Sequence, residues 1–333
     1  MSYVIGGGMA GLIWTWFHRK SEIIAGTDLE ERQDSWDIPL PQYIYDTPWT
    51  ERFLREVRGK VPSRKPIAVG VWYKGDFVHP TSQMIQMYWE KTRGIGTLAQ
   101  PHAMSSGRQF FTVFDLDFHL LEQDLIEDLW DYMTSAKVER VSLENKEMLI
   151  VNEERQESGI VKFDNLVVTI PQPLFWSMVW KREDRSNLFF YKPITILKAK
   201  IDYPFVWKNS FDYIIYPDPH VPWYRLTKSE DRKVVGLEST LDWEKAPGVY
   251  NFGLEGVPLE DGVLVSVEKM KTLKYGKIGM TQEASWIKEE NITFFGRYGA
   301  WDGRLKIHDL IKEASEHAKR EMPESMEGGL QER

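Results

Sequence analysis

The sequence has 333 residues, 42% of them hydrophobic and 28% charged, which excludes a mainly disordered chain. There is no cysteine, which excludes a disulfide framework, a thiolate metal site, a cysteine nucleophile and a flavin attached through cysteine, and fits a reducing, cytoplasmic compartment. The net charge is -8, so no global positive field draws in nucleic acid or an anionic membrane. The length exceeds what one hydrophobic core usually serves, and two lobes are expected.

The N-terminal run YVIGGGMAGLIWTWF falls short of the roughly 20 apolar residues that span a bilayer. No basic region precedes it and no small-residue cleavage site follows it, so no membrane partner is expected. It reads instead as strand, turn and helix. Tyr3-Val4-Ile5 is a short β-type run, Gly6-x-Gly8-x-x-Gly11 follows, and LIWTWFHRK continues as a helix. A second strand, Glu22 to Gly26, leads to Asp28. A dinucleotide site needs each part of this order. Gly6 permits the tight turn, Gly8 lets the backbone approach a pyrophosphate, and Gly11 lets helix and strand pack closely. Gly7, Met9 and Ala10 complete the turn, and the helix start favours phosphate. Asp28 is near the spacing of a ribose-binding acid, with Glu30 and Glu31 as close competitors. The alternative is a glycine turn that serves packing only, and the motif by itself does not separate NAD from FAD.

Further along, TPWTERFLREV predicts a helix capped at Thr47 or Thr50. IAVGVWYKGDFVHP reads as a hairpin with Lys74-Gly75-Asp76 in its turn. TSQMIQMYWEKTRG is a helix closed by Gly94, and residues 95–114 are irregular. Phe118 to Met133 has apolar residues at helical spacing. The stretch from Val138 to Pro173 reads as three short strands. The last, LVVTI, is continuously apolar and suits a parallel sheet buried on both faces. Residues 188–270 hold many β-rich runs (ITILKAKI, YIIYPD, KVVGLEST, VLVSVEKM) and predict a sheet-rich second lobe. A strand, a glycine turn and a long helix close the chain, with residues 326–333 as a flexible tail.

Three separated stretches, VIGGGMAGL, DNLVVTIPQP and FFGRYGAWDGRLKIHDLIKEA, together resemble the FAD-binding lobe of the amine oxidase-like flavoproteins. Within that group, GRYGAW followed by a helix is most similar to the UDP-galactopyranose mutases, as is PQYIYDTPWTERFLREV followed by VWYKGDFVHP. The resemblance implies an α/β fold: a Rossmann-type, doubly wound FAD-binding domain with an inserted α+β, sheet-rich substrate domain. Residues 1–40, 100–178 and 285–325 would build the first, and 41–99 and 179–284 the second. It implies FAD as cofactor. Val138 and its strand would contact adenine, and Thr169 would line the site. Leu305, Lys306 and Ile307 would open the helix that faces the pyrimidine edge of the flavin. Gly296 and Arg297 would lie beside flavin and substrate. One departure is that DLEERQDSWDIPLPQ lacks the glycine pair that the mutases carry after the ribose acid.

Candidate chemistry follows. Arg297 would pair bidentately with a carboxylate or phosphate; the alternative is a surface arginine in a glycine turn. Tyr213, Tyr216, Trp223, Tyr224 and Arg225 would stack on a base or sugar and pair an anion; the alternative is an ordinary strand pair joined by a proline-rich turn. The seven histidines show no metal spacing, and no metal is expected. His102 and His220 lie in loops. Between Lys181 and Lys277 there are 16 basic and 14 acidic residues. Lys269, Lys271, Lys274, Lys277, Arg182 and Arg185 are solvated faces or a weak nucleic-acid contact of the middle lobe. Three functions compete. The first is a FAD-dependent oxidoreductase that oxidises an amine or amino-acid group by hydride transfer to flavin N5, acting on a small molecule or on an amine carried by a nucleotide or DNA. The second is a mutase-like, non-redox sugar-nucleotide isomerase. The third is a non-catalytic FAD-binding protein.

Overall fold

Tyr3, Val4 and Ile5 are all buried, and successive side chains enter different cores, as the two-residue period of a strand requires. In the computed structural model they form β1 (Ser2–Ile5), the centre of a five-stranded, all-parallel sheet. The structure describes residues 1–26, 43–92, 110–152, 154–180, 185–201, 210–229, 231–240, 265–280, 288–302 and 305–321. β2 (Ser21–Ala25) pairs on one side of β1 and β10 (Asn165–Val168) on the other. β6 (Met133–Ser135) extends the sheet beyond β2, and β16 (Ile292–Phe294) beyond β10. The order β16-β10-β1-β2-β6 is that of a Rossmann-type sheet.

Val4, Ile23 and Val167 pack against α1 (Met9–Phe17), α2 (Pro48–Arg58), α4 (Phe118–Leu129) and α7 (Ile307–Glu321), through residues such as Leu12, Phe53, Leu125 and Ile311. On the opposite face, Tyr3, Ile5 and Val168 pack against α5 (Gln172–Met178) and a three-stranded antiparallel sheet. That sheet is β7 (Lys137–Ser142), β8 (Glu147–Asn152) and β9 (Glu157–Lys162).

The second large sheet has eight strands. They are β3 (Arg64–Tyr73), β4 (Asp76–Phe77), β5 (Phe110–Phe114), β11 (Phe189–Ile201), β12 (Tyr213–Ile215), β13 (Trp223–Lys228), β14 (Val234–Ser239) and β15 (Val265–Met280). β12 runs parallel to β3; the other pairings are antiparallel. α3 (Ser82–Thr92) lies against one face through Tyr88, with Met84 and Ile85 beside it. The fold class is therefore mixed α/β, with a Rossmann-like parallel sheet and a separate mixed sheet.

Local chemistry explains several boundaries. Thr47 caps α2: its Oγ1 accepts from the Thr50 N–H at 3.2 Å, and Pro48 takes the first helical position. Lys74 and Gly75 have φ of 52° and 87°, the geometry of a tight two-residue hairpin turn, and Asp76 opens β4. Four details differ from the sequence expectation. The helix from Phe118 stops at Leu129, a short 3₁₀ turn follows at Trp130–Tyr132, and Met133 begins β6; Met133 joins the helix's own core, which carried the apolar spacing past the boundary. Residues 110–114 are not irregular but form β5. Residues 137–168 hold four strands rather than three. Finally, α2 packs in the first core while β5 joins the second sheet, so both cross the expected domain limits. Gly94 and the tail at 326–333 lie outside the described residues.

Candidate cofactor and substrate site

The glycine turn between β1 and α1 is held by what its glycines lack. Gly6 has φ of +109°, and a Cβ there would sit 2.5 Å from Thr169 Oγ1. A Cβ on Gly11 would sit 2.0 Å from the Gly6 carbonyl oxygen, so the helix rests directly on the turn. A Cβ on Gly7 would meet Ala25 Cβ at 2.6 Å. Gly8 is different: its Cβ would meet none of the described residues within 4 Å. Gly8 is also the N-cap of α1. Among the described residues no side chain caps that helix start, and no acid stands in its first turn. Among the described residues, therefore, nothing competes with an anion for the positive end of α1, as an anion cradle requires.

The three stretches that carry the resemblance meet here. Thr169, just past β10, donates its hydroxyl to the Ile5 carbonyl at 2.8 Å. Gly296 opens the short helix α6 (Gly296–Gly299) with φ of +82°, and a Cβ there would meet Ala10 Cβ at 2.5 Å. Gly299 rests on the Val168 carbonyl, and Gln172 donates to the Gly299 carbonyl at 2.8 Å. Arg297 thus stands beside the α1 start, half-buried, with its guanidinium 5.7 Å from the Tyr298 ring centre. Met9 is buried in the helical core. Val138 is buried in β7, just after Ala136, whose N–H donates to Ala25 at the end of β2. Asp28, Glu30 and Glu31 lie outside the described residues.

The start of α7 is built otherwise. Leu305 and Ile307 pack on the helical core. The Lys306 N–H donates to Asp309 Oδ2 at 2.9 Å, so this helix carries its own cap. Lys306 Nζ reaches the Tyr45 hydroxyl at 3.1 Å and lies 4.3 Å from that ring's centre. His308 stands 5.1 Å from the same ring; burial holds its pKa below the usual value, with Asp309 opposing. Residues 43–46 run alongside β5, and Ile44 points into the helical core while Tyr43 points toward the second sheet. Aromatic contacts then continue from Tyr45 to Phe111 at 5.2 Å, Phe111 to Tyr43 at 5.2 Å, and Tyr43 to Tyr213 at 6.4 Å. They link the α7 start to β12.

Beyond Tyr213 lies a buried polar cluster. A bulge in β13 pairs Trp223 with Ser239 and Arg225 with Glu238. Tyr224 and Arg225 consequently both reach Glu238, which is 2% exposed. Arg225 donates to both carboxylate oxygens, and the Tyr224 hydroxyl donates to Oε2 at 2.6 Å. Arg225 also approaches the Tyr213 hydroxyl at 3.4 Å. Burial opposes the Arg225 charge, but Glu238 and the neighbouring tyrosines hold its pKa well above the ordinary value. Burial likewise raises Tyr213, Tyr224 and Tyr88, which stay protonated. Tyr216 and Trp223 enter the other core, with Trp72, Leu226 and Leu237. The five residues read as one group are thus divided: Tyr213, Tyr224 and Arg225 share one side, and Tyr216 and Trp223 share the other.

Sequence reasoning missed Glu238, Tyr88, Tyr43, Tyr45 and Phe111. A carboxylate inside the strand run KVVGLEST and the alternation of Tyr43 and Tyr45 were the available signals. Among the described residues no three metal-binding side chains gather. His18 and His317 meet at 3.2 Å beside Trp14, and His220 is exposed in the β12–β13 connection. Arg185 pairs with Glu289 at 3.1 Å. His102, Arg182 and the side chains of Lys269, Lys271, Lys274 and Lys277 lie outside what is described. Among the described residues no helix is long and apolar enough to cross a membrane.

No family model and no curated protein matches this chain. Solved structures do, and they define the class of fold, which the chain shares with a mutase, an isomerase and an oxidase. The chain is similar to a reduced UDP-galactopyranose mutase, with a TM-score of 0.66 and 12% identity over 96% of this chain and 94% of that one. It is similar to a fatty acid isomerase from P. acnes that produces CLA, with a TM-score of 0.65 and 10% identity over 97% and 98%. It is also similar to a putrescine oxidase, with a TM-score of 0.57 and 10% identity over 96% and 98%. These three proteins carry different activities on one fold, and the low identities limit the likeness to the fold alone.

Proposed function

We propose that the chain is a FAD-dependent oxidoreductase that acts on an amine or amino-acid group. The residues of the glycine turn fit the cofactor, because among the described residues Gly8 is the glycine of this turn whose Cβ would meet nothing within 4 Å, and it lies at a helix start that no described side chain caps. Gly6 to Gly11, Thr169 and the Gly296–Gly299 turn would hold FAD, with the Val138 strand and the Leu305–Ile307 segment at its two ends. When bound, the flavin supplies hydride-accepting chemistry, and the protein supplies orientation and electrostatics.

The observation that favours an amine over a sugar nucleotide is the Arg225–Glu238 pair. A guanidinium engaged at both carboxylate oxygens offers no net charge to a diphosphate. The wall it forms with Tyr213, Tyr224 and Tyr43 is neutral, aromatic and rich in protonated hydroxyls. Such a wall excludes water and accommodates an uncharged amine. Arg297, beside the α1 start, is the cation that would meet the carboxylate of an amino-acid substrate.

The test is an anaerobic titration of the FAD-loaded protein with amines, amino acids, aminated nucleosides and sugar nucleotides. Bleaching of the flavin band by an amine or amino acid is the expected result. A band that no amine bleaches, but that shifts when a sugar nucleotide binds the reduced protein, would replace this reading with a mutase. Silence toward every compound would leave FAD a structural part.

A further inference from the structure

The connection between β12 and β13, residues 216–222, has the sequence YPDPHVP. Its three prolines, Pro217, Pro219 and Pro222, have no N–H to give. A short connection with so few donors leaves carbonyl oxygens to be satisfied from outside. Lys91, in the last turn of α3, does this. Its Nζ donates to the carbonyls of Tyr216 at 3.1 Å, of Asp218 at 2.6 Å, and of Trp223. These are the residue after β12, the middle of the connection and the first residue of β13. An ammonium carries three protons, and two acceptors in this connection and one just past it meet them.

We propose that Lys91 is a positioning residue: an internal cation that pins the β12–β13 connection and so fixes where β13 begins. The bulge that turns Tyr224 and Arg225 together onto Glu238 starts at the next residue. Anchoring the Trp223 carbonyl therefore sets the geometry of that cluster. A side chain that only filled this space would be a methionine or leucine, because burial opposes the ammonium charge and pushes its pKa down to about 7, with Asp218 opposing. The lysine is explained by the carbonyls it serves. Its consequence for turnover rests on the reading that the Tyr213–Arg225 side is the substrate wall.

Hydrogen exchange followed by mass spectrometry on the FAD-loaded full chain tests this without depending on activity. In Lys91→Met, amides of residues 220–228 should exchange roughly tenfold faster or more, as expected for loss of charge-assisted hydrogen bonds, while β1 and β10 keep wild-type rates. In Lys91→Ala, added ammonium chloride should restore part of the protection, and tetramethylammonium chloride at equal strength should not. If Lys91→Met does not fold, Lys91→Gln, with two donors of three, should give intermediate protection on the same peptides. Wild-type exchange in residues 220–228, or a uniform increase across the chain, would overturn the proposal. Loosened exchange, with unchanged concentration dependence of flavin bleaching by an amine that reduces the wild type, would overturn its role in turnover, leave the anchor standing, and count only against the reading of the Tyr213–Arg225 side as the substrate wall.

Discussion

The two large sheets bury different chemistry. In the parallel sheet, every buried position of β1, β2 and β10 is apolar except Ser21. Its glycine turn is made by absent side chains, where glycines let backbone meet backbone and, among the described residues, leave a helix start uncapped. The eight-stranded sheet instead buries Glu238 and Lys228 outright, with Arg225 and several tyrosine hydroxyls around them. Buried charges are costly unless paired, so they mark positions where packing alone did not choose the residue. The first lobe would hold its ligand by backbone, and the second would shape its ligand by side chains.

The largest disruption expected is at the first site. Gly11→Val places a side chain against the Gly6 carbonyl, where even Cβ has only 2.0 Å. The expected cost is about 4 kcal/mol or more, read as loss of soluble folded protein. Next is Glu238→Ala, which strands the Arg225 charge and should cost about 3–5 kcal/mol in denaturant unfolding. The double replacement Arg225→Met with Glu238→Leu should lie closer to wild type than either single change. A double variant worse than both would show that the pair contributes net stability, and would weaken the contrast between the sheets.

A smaller effect is pH-dependent. Burial, reinforced by Arg232 and opposed by Asp212, brings the Lys228 pKa from 10.5 down to about 7. Between those values the unfolded chain binds the extra proton, so stability should rise as pH increases from about 7 toward 10. Lys228→Met should flatten part of that rise in melting temperatures measured from pH 6 to pH 9. The smallest change in stability is expected at Gly8. Its backbone, with φ of -74° and ψ of 176°, suits alanine, and the added Cβ meets no atom of the described residues within 4 Å. Gly8→Ala should alter stability by about 0.5 kcal/mol or less while weakening flavin retention, which separates cofactor binding from folding.

Much of the first lobe was legible because its signals are local. The Gly6–Gly11 spacing, the apolar run LVVTI and the GRYG turn each announce their geometry within a few residues. Nothing local shows that Gly296 touches Ala10; the resemblance grouped the two stretches, and the contact itself came from the structure. The buried polar cluster of the eight-stranded sheet was hidden from the sequence for a physical reason. Strand alternation puts Tyr224 and Arg225 on opposite faces, and the bulge in β13 brings both to Glu238. A bulge depends on the pairing of the neighbouring strand, which periodicity does not carry. The same limit explains β5, whose strand character depends on pairing with β3.

The central claim is that the β1–α1 turn holds a flavin, and the visible absorption spectrum of the purified protein, before and after adding FAD, tests it most directly. The account predicts a bound flavin band in the wild type, retained through desalting, and a band weakened in Gly8→Ala at unchanged melting temperature. A protein that stays colourless after FAD is added and excess is removed would contradict it.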